Sequence, residues 1–309
     1  MNIPGVDDRP VRVATWGRTD PGLERDENQD AFLILELTES GSGGGFSLDA
    51  HGTGPHGFQD REFALGRRGA VFVVADGMGG AAGGATASRM ATERIREEMA
   101  GSWLRDPDRS PRGFAGHLVH ALNEANRALH ELASRRPELR GMGTTATAVG
   151  VLDGFAYVGQ VGDSRAYLVR DGAAHQLSRD QSVVQELLDA GALTEAQAER
   201  SHQRNVILQA LGTAPDVDVD LTWQELRRGD TLLVCSDGLS GVVGAEELAA
   251  RTEGAPDPAA LCETMVELAH RGGAPDNVTV VVAHFGGPGL DAPSEGDVVG
   301  RRPFHLEEE

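Results

Sequence analysis

Ala70-Val-Phe-Val-Val-Ala-Asp76-Gly77-Met78-Gly79-Gly80 is an apolar run that stops at a carboxylate followed by glycine-rich backbone. Val71 to Ala75 are β-branched, aromatic or small without interruption, which predicts a strand buried on both faces. Asp76 then stands at the strand's carboxyl end. Asp-Gly is also the commonest turn dipeptide, so by itself this junction reads as a turn. The rest of the chain decides between a turn and a functional carboxylate.

Working outward, Val11 to Trp16 alternates as a first strand, and Ala31-Phe-Leu-Ile-Leu-Glu-Leu37 is a second, opened by Asp30 at the end of the polar loop Arg25-Asp-Glu-Asn-Gln-Asp30. Residues 39–69 are glycine-rich with little periodicity and read as an extended, mobile insertion. Apolar residues at Ala87, Ala91, Ile95 and Met99 predict a helix over 85–100, and Phe114 to Leu132 a second one. His117 and His120 share that second helix, but without a third ligand they read as surface residues. Strands follow at 143–152, 155–161 and 166–170, with Asp153-Gly154 and Asp171-Gly172 as plain hairpin turns between alternating apolar residues. Asp163 instead interrupts a strand pattern, where a carboxylate is costly without a partner.

Residues 182–214 read as a helical excursion. Its features are a Val183–Leu188 stripe ended by Gly191, a Thr194-x-x-Gln197 capping box and a helical Gln203–Gly212 segment. Alternation at 216–221 suggests an edge strand with an acidic solvent face. Asp230-Thr-Leu-Leu-Val-Cys-Ser236 repeats the opening design and ends in Asp237-Gly238. A last helix runs from Pro258 to Arg271, and Asp276 opens the strand Val278–His284. The first ten residues read as a flexible N-terminus and residues 286–309 as a disordered acidic tail, bracketing one domain over 11–285.

The chain has 309 residues, 39% of them apolar, and a formal net charge of -20. That field repels nucleic acid and anionic lipid surfaces. The N-terminus has neither a basic cap nor an apolar run, and the apolar stretches are strand-sized, so the expectation is a soluble, cytoplasmic, monomeric protein. Cys235 and Cys262 are too few for a disulfide framework and read as buried thiols.

Asp30, Asp76, Asp163, Asp237 and Asp276 thus all occupy strand positions where a carboxylate should have a task. If they converge, cations must offset their repulsion, and an all-oxygen set selects magnesium, manganese or calcium over zinc. Asp26-x-Asn28-x-Asp30 imitates half of an EF-hand loop, but Ala31 and Leu37 stand where that loop needs Gly and Glu. Gly77-x-Gly79-x-x-Ala82 fits a relaxed dinucleotide fingerprint, yet Asp76 would face a pyrophosphate with like charge.

Five blocks in order, Arg25-x-x-Asn28-Gln29-Asp30, Val73-Val-Ala-Asp76-Gly-Met-Gly-Gly80, Gly162-Asp-Ser-Arg165, Cys235-Ser-Asp237-Gly-Leu239 and Asp276-Asn277, resemble the bacterial metal-dependent serine/threonine protein phosphatases of the phosphatase 2C type. Gly143-Thr-Thr145 and Gln203-Arg-Asn205 lie between them, and the likeness covers about residues 11–285. The resemblance implies an α+β, four-layer α-β-β-α sandwich of two antiparallel sheets flanked by helices. It also implies two manganese or magnesium ions held by Asp76, the Gly77 carbonyl, Asp237 and Asp276. Asp30 would act through metal-bound waters, Asp163 with Asp237 at a weaker third metal site, and Arg25 as the phosphate clamp.

On that likeness, hydroxide bridging the metals attacks phosphorus directly, with no covalent intermediate. Neither cysteine fits the Cys-x-x-x-x-x-Arg loop of cysteine phosphatases. Met78 stands where eukaryotic relatives often have a histidine proposed as general acid, leaving the proton donor open. The expected partners are phosphorylated proteins, serine/threonine kinases among them, and residues 178–214 correspond to the flap beside the site. The alternative is a non-catalytic phosphoprotein-binding or regulatory module on the same fold.

Overall fold

The computed structural model describes residues 10–38, 61–198, 200–203, 205–255 and 257–306. The chain runs through β1 (Arg12–Asp20), β2 (Asp30–Glu36), β3 (Arg61–Ala64) and β4 (Ala70–Met78) into two long helices, α1 (Ala81–Gly101) and α2 (Pro111–Arg135). A meander follows: β5 (Gly143–Thr144), β6 (Ala146–Leu152), β7 (Phe155–Val161), β8 (Arg165–Arg170) and β9 (Ala173–Gln176). Two short helices, α3 (Val183–Asp189) and α4 (Glu195–Ala198), precede β10 (Asp220–Glu225), β11 (Thr231–Cys235) and the single turn α5 (Asp237–Ser240). The remaining elements are α6 (Ala245–Gly254), α7 (Pro258–Arg271), β12 (Val278–Gly286) and β13 (Arg302–Pro303).

Two antiparallel sheets result, ordered β3-β1-β12-β11-β8-β9 and β13-β10-β7-β6-β4-β2, with β5 alongside β4. Period-two alternation divides each buried strand between two cores. In β4, Phe72 and Val74 enter the core between the sheets with Phe32, Val149, Leu168, Val234 and Val281. Val71 and Val73 point the other way, against Ala91, Ile95, Phe114 and Leu118 of α1 and α2. On the second sheet Leu233, Cys235, Val280 and Val282 meet Leu248 of α6 and Leu261 and Met265 of α7. This is the four-layer α-β-β-α sandwich that the resemblance implies. The chain needs no polar face on β4 because both its faces are covered.

Asp153 and Asp171 each have φ 49, followed by glycines at φ 77 and 75, so both junctions are the left-handed hairpin turns their flanking strands require. Asp76-Gly77 and Asp237-Gly238 are not turns of this kind. Gly77 still lies in β4, and Gly238 is inside α5.

Several expectations need correction. The described residues of the segment 203–212 form no helix: Leu208 N bonds Gln181 O at 2.7 Å, and Thr144 and Leu211 exchange both backbone bonds, so these amides serve tertiary partners. The strand expected at 216–221 begins at Asp220 and is flanked by β7 and β13, so it is not a bare edge. The stretch expected as a disordered tail is ordered over 287–306. There Leu290 is buried, β13 pairs with β10, Phe304 stacks edge-on against Tyr157 at 5.4 Å, and Asp297 takes both arms of Arg227. Its Gly and Pro content suppressed periodicity without preventing docking. β3 lies within the expected insertion; residues 1–9 and 39–60, on which the flexible N-terminus and most of that insertion fall, lie outside the described residues.

Candidate active site

The sheet register brings five chain segments to one end of the sandwich. Asp30 at the start of β2 stands opposite Asp76 near the end of β4. Cys235 pairs with Val280, which places Asp237 just beyond β11 next to Asp276 just before β12, and Arg165 pairs with Cys235, bringing Asp163 to the same edge. Asp76, Asp163, Asp237 and Asp276 all line a cleft of about 680 Å³, together with Arg25, Gly77 and Met78. Asp30 is fully buried behind it.

Close backbone approach explains two of the glycines. A Cβ on Gly77 would lie 2.2 Å from the carbonyl oxygen of Gly84 in the first turn of α1, and one on Gly238 would lie 2.0 Å from that of Asn277. Any side chain there would push apart the segments that carry Asp76, Asp237 and Asp276.

Between the apolar core and the cleft lies a layer of hydroxyls and amides, set by strand alternation on the inter-sheet face. Thr145 Oγ1 accepts from the Asp76 amide at 3.0 Å and shares a 2.7 Å bond with Ser164 Oγ. Thr279 Oγ1 donates to Asp30 Oδ2 at 2.7 Å and lies 2.7 Å from Thr19 Oγ1, to which Asn28 Nδ2 donates at 2.8 Å. Asn277 holds the Arg25 loop: its Oδ1 accepts from Gln29 N at 2.8 Å and its Nδ2 donates to the carbonyls of Pro21 and Glu27, both at 2.9 Å. Asn28, Thr145, Ser164, Asn277 and Thr279 had no assigned role in the sequence reading, although three of them stand inside the quoted blocks. For Asn28, Ser164 and Asn277 the available signal was a position one or two residues from a candidate aspartate; Thr145 and Thr279 carry no such signal.

The electrostatics are those of carboxylates held together against their repulsion. Burial pushes Asp30 up to about 7, and the charges of Asp237 and Asp276 add to the shift. Burial likewise raises Asp163 to about 7, reinforced by Asp237 and Asp180. Asp76 is held well above the usual carboxylate range, first by burial and then by Asp30, Asp237, Asp276 and Asp163. Asp237 is raised by burial and by Asp276, with Asp76, Arg165 and Arg25 opposing the shift. Arg25 donates from Nη2 to Asp276 Oδ2 at 2.6 Å, which raises the guanidinium's own pKa.

Among the described residues, Asp30 Oδ1 and Asp237 Oδ1 are buried oxygens without a hydrogen-bond partner. Orphaned acceptors beside mutually repelling acids fit a divalent cation, which an all-oxygen donor set suits. No three of the described His, Cys, Asp or Glu side chains already stand in a shared metal-ligand arrangement. Asp276 is engaged by Arg25 at 2.6 Å. His117, expected at the surface, is partly buried on α2, where it pairs with Asp106 at 2.7 Å.

The fold and site together define a two-sheet, helix-flanked sandwich protein with an acidic centre at one end of its sheets. A family model described as Protein phosphatase 2C matches residues 57–276, and the chain belongs to that family. It is 38% identical over 213 residues to the serine/threonine protein phosphatase PstP of Mycobacterium tuberculosis, an alignment covering 69% of this chain and 40% of PstP. It therefore spans about two fifths of that relative's length. Protein phosphatase PhpP of Streptococcus pneumoniae is 34% identical over 212 residues, covering 69% of this chain and 84% of PhpP. The crystal structure of a PstP catalytic domain in complex with two manganese ions matches with a TM-score of 0.69 at 31% identity, covering 89% of this chain and 99% of that one.

Proposed function

We propose that the chain is a manganese- or magnesium-dependent protein phosphatase that removes phosphate from phosphoserine and phosphothreonine without a covalent intermediate. The observation that carries this reading is the convergence of Asp76, Asp237 and Asp276 beside Arg25 in one cleft, with an orphaned Asp237 oxygen. The PstP catalytic domain, similar in fold and solved with two manganese ions, supports it.

Asp76, the Gly77 carbonyl, Asp237 and Asp276 would hold two ions, Asp30 would act through water behind them, and Asp163 with Asp237 would form a weaker third site. Ions bound there would lower the pKa of a water and offset charge on the phosphoryl group. The chain's own groups do the rest. Arg25, which stands beside Asp276 at the cleft, would present a planar fork to two phosphate oxygens.

Cys235 and Cys262 are both buried, and burial raises both thiols, Cys235 to about 12, so neither serves as a nucleophile. Met78 lines the cleft and cannot donate a proton, so it is not the general acid. Retention of mutually repelling carboxylates opposes a purely non-catalytic module, which would gain stability by losing them.

The natural substrates would be phosphorylated proteins, kinases among them, acted on by a cytoplasmic monomer, with residues 178–214 shaping substrate choice. No described helix is long and apolar enough to cross a membrane. The test is manganese-stimulated phosphate release from a phosphothreonine peptide. Loss of turnover in Asp76→Ala and Asp237→Asn is the expected result. Turnover that both substitutions leave untouched overturns the site.

A further inference from the structure

Beside the acidic cleft, one buried side chain joins two walls of the site. Gln181 accepts at Oε1 from the Gly162 amide at 2.8 Å and donates from Nε2 to the Asp218 carbonyl at 3.1 Å. Its backbone bonds the same Gly162 and, on the other side, Leu208 in place of Asp218. The Gln181 amide donates to Gly162 O at 2.9 Å, and its carbonyl accepts from Leu208 N at 2.7 Å.

Gly162 is the residue before Asp163. Its φ of +100 admits only glycine comfortably, and a Cβ there would lie 2.6 Å from Thr145. The direction in which Asp163 leaves the turn is therefore set by what holds the Gly162 peptide groups, namely Gln181 and Gln160 Nε2. On the other side, Asp218 exchanges bonds with the Gln209 side chain, its amide donating to Oε1 at 2.9 Å and its carbonyl accepting from Nε2 at 3.3 Å. Gln209 follows Leu208 directly, and Asn205 and Ile207 of the same segment line the cleft opposite the acids.

We infer that Gln181 is a positioning residue that couples the 205–209 wall of the cleft to the Asp163 turn. Only a side-chain amide of this length can do it, because one end must accept from Gly162 and the other must donate to Asp218. The wall and the turn then shift together, and the shape offered to a peptide depends on the same group that orients an acid of the centre. The consequence for turnover rests on the phosphatase reading above; the mechanical coupling does not.

Two substitutions separate the arms. Gln181→Glu keeps the acceptor for Gly162 but sets a carboxylate against the Asp218 carbonyl. Gln181→Met keeps the length and removes both bonds. Amide hydrogen exchange on the full chain, read by mass spectrometry, should rise about five-fold or more over 205–211 in Gln181→Glu, the equivalent of one lost hydrogen bond, with 160–165 little changed. In Gln181→Met both segments should rise.

In kinetics with manganese, Gln181→Glu should raise KM for a phosphothreonine peptide several-fold more than KM for p-nitrophenyl phosphate, a split that a uniform loss of stability would not produce. Unchanged exchange over 205–211 in Gln181→Glu, or a parallel rise in both KM values, overturns the coupling. Should Gln181→Met fail to fold, Gln181→Glu decides alone. A wild-type chain that hydrolyses neither substrate would sink the phosphatase reading, while the exchange pattern would still decide the role of Gln181.

Discussion

Asn277 Oδ1 accepts the Gln29 amide at 2.8 Å, tying the residue after Asp276 to the residue before Asp30 across 248 positions of chain. With its two further bonds to Pro21 and Glu27, this side chain clamps the loop that carries Arg25. Asn277→Ala should cost about 2–3 kcal/mol from three lost buried hydrogen bonds, measurable by urea unfolding. It should also raise KM for phosphorylated substrate, because Arg25 loses its anchored base. An unchanged midpoint would show that the clamp carries no stability.

Asp76→Asn removes one of the buried, mutually repelling acids. In EDTA the variant should be more stable than the wild type by on the order of 1–2 kcal/mol, while manganese-stimulated turnover falls 100-fold or more, since even supporting residues of metal sites are worth about 10–100-fold. Thermal melts with and without manganese check both halves. Manganese should raise the wild-type melting temperature and leave that of the variant nearly unchanged.

The pH dependence follows from Asp30 and Asp163, both raised to about 7 when folded. The unfolded chain releases these protons near pH 4, so between about 4 and 7 the folded state binds more protons and stability falls as pH rises. The penalty is absent below the unfolded pKa and complete above the folded one. Metal-free protein should therefore melt at a higher temperature at pH 5.5 than at pH 8, as judged against these two acids alone. The stabilisation by manganese should be larger at pH 8. A metal-free melting temperature that rises across this interval would contradict the assignment.

Gly77→Ala places a methyl group 2.2 Å from the Gly84 carbonyl oxygen, so the first turn of α1 must move. The expected outcome is a loss of about 1–3 kcal/mol from overpacking, with impaired manganese binding by calorimetry. Normal manganese affinity would show that the α1 turn can yield without disturbing Asp76.

Truncation after Gly286 removes buried Leu290 and the Phe304 ring from Tyr157, and strips Asp297 from Arg227. Loss of the buried leucine and of part of an aromatic contact predicts destabilisation of about 2–4 kcal/mol, read by denaturant midpoint, with the acidic cleft at the other end of these contacts retaining manganese binding. An unchanged midpoint would mean that the docked segment adds nothing to the domain.

Much of the site was legible because an aspartate that ends or begins an apolar strand violates the local pattern, and Asp30, Asp76, Asp237 and Asp276 each do so. Asp163 was visible as an interruption inside a strand. The polar layer was harder to see, since Thr145, Ser164 and Thr279 are ordinary strand and turn residues until the opposite sheet supplies their partners. The 203–212 segment misread as a helix for the same reason. Its spacing of apolar residues is compatible with one, but Gln181 and Thr144 take its backbone groups. Helix α6 passed unnoticed among turn residues, and the docked 287–306 segment has no periodicity for a pattern to catch.

The sequence alone determined the alternation of strands and helices, the burial of β4 on both faces and the identity of the five unusual aspartates. Those follow from side-chain period and from the cost of a charge in an apolar strand, which are local properties. The tertiary structure decided which acids meet, that Arg25 rests on Asp276, that Gly77 is glycine because α1 approaches it, and that Gln181 joins two walls of the cleft. Each of these depends on sheet register and on contacts between residues far apart in the chain, where small shifts in strand pairing would separate the groups. Asp76-Gly77, which locally resembles the turns at Asp153 and Asp171, becomes the floor of an acidic cleft because Asp30, Asp237 and Asp276 are brought to it.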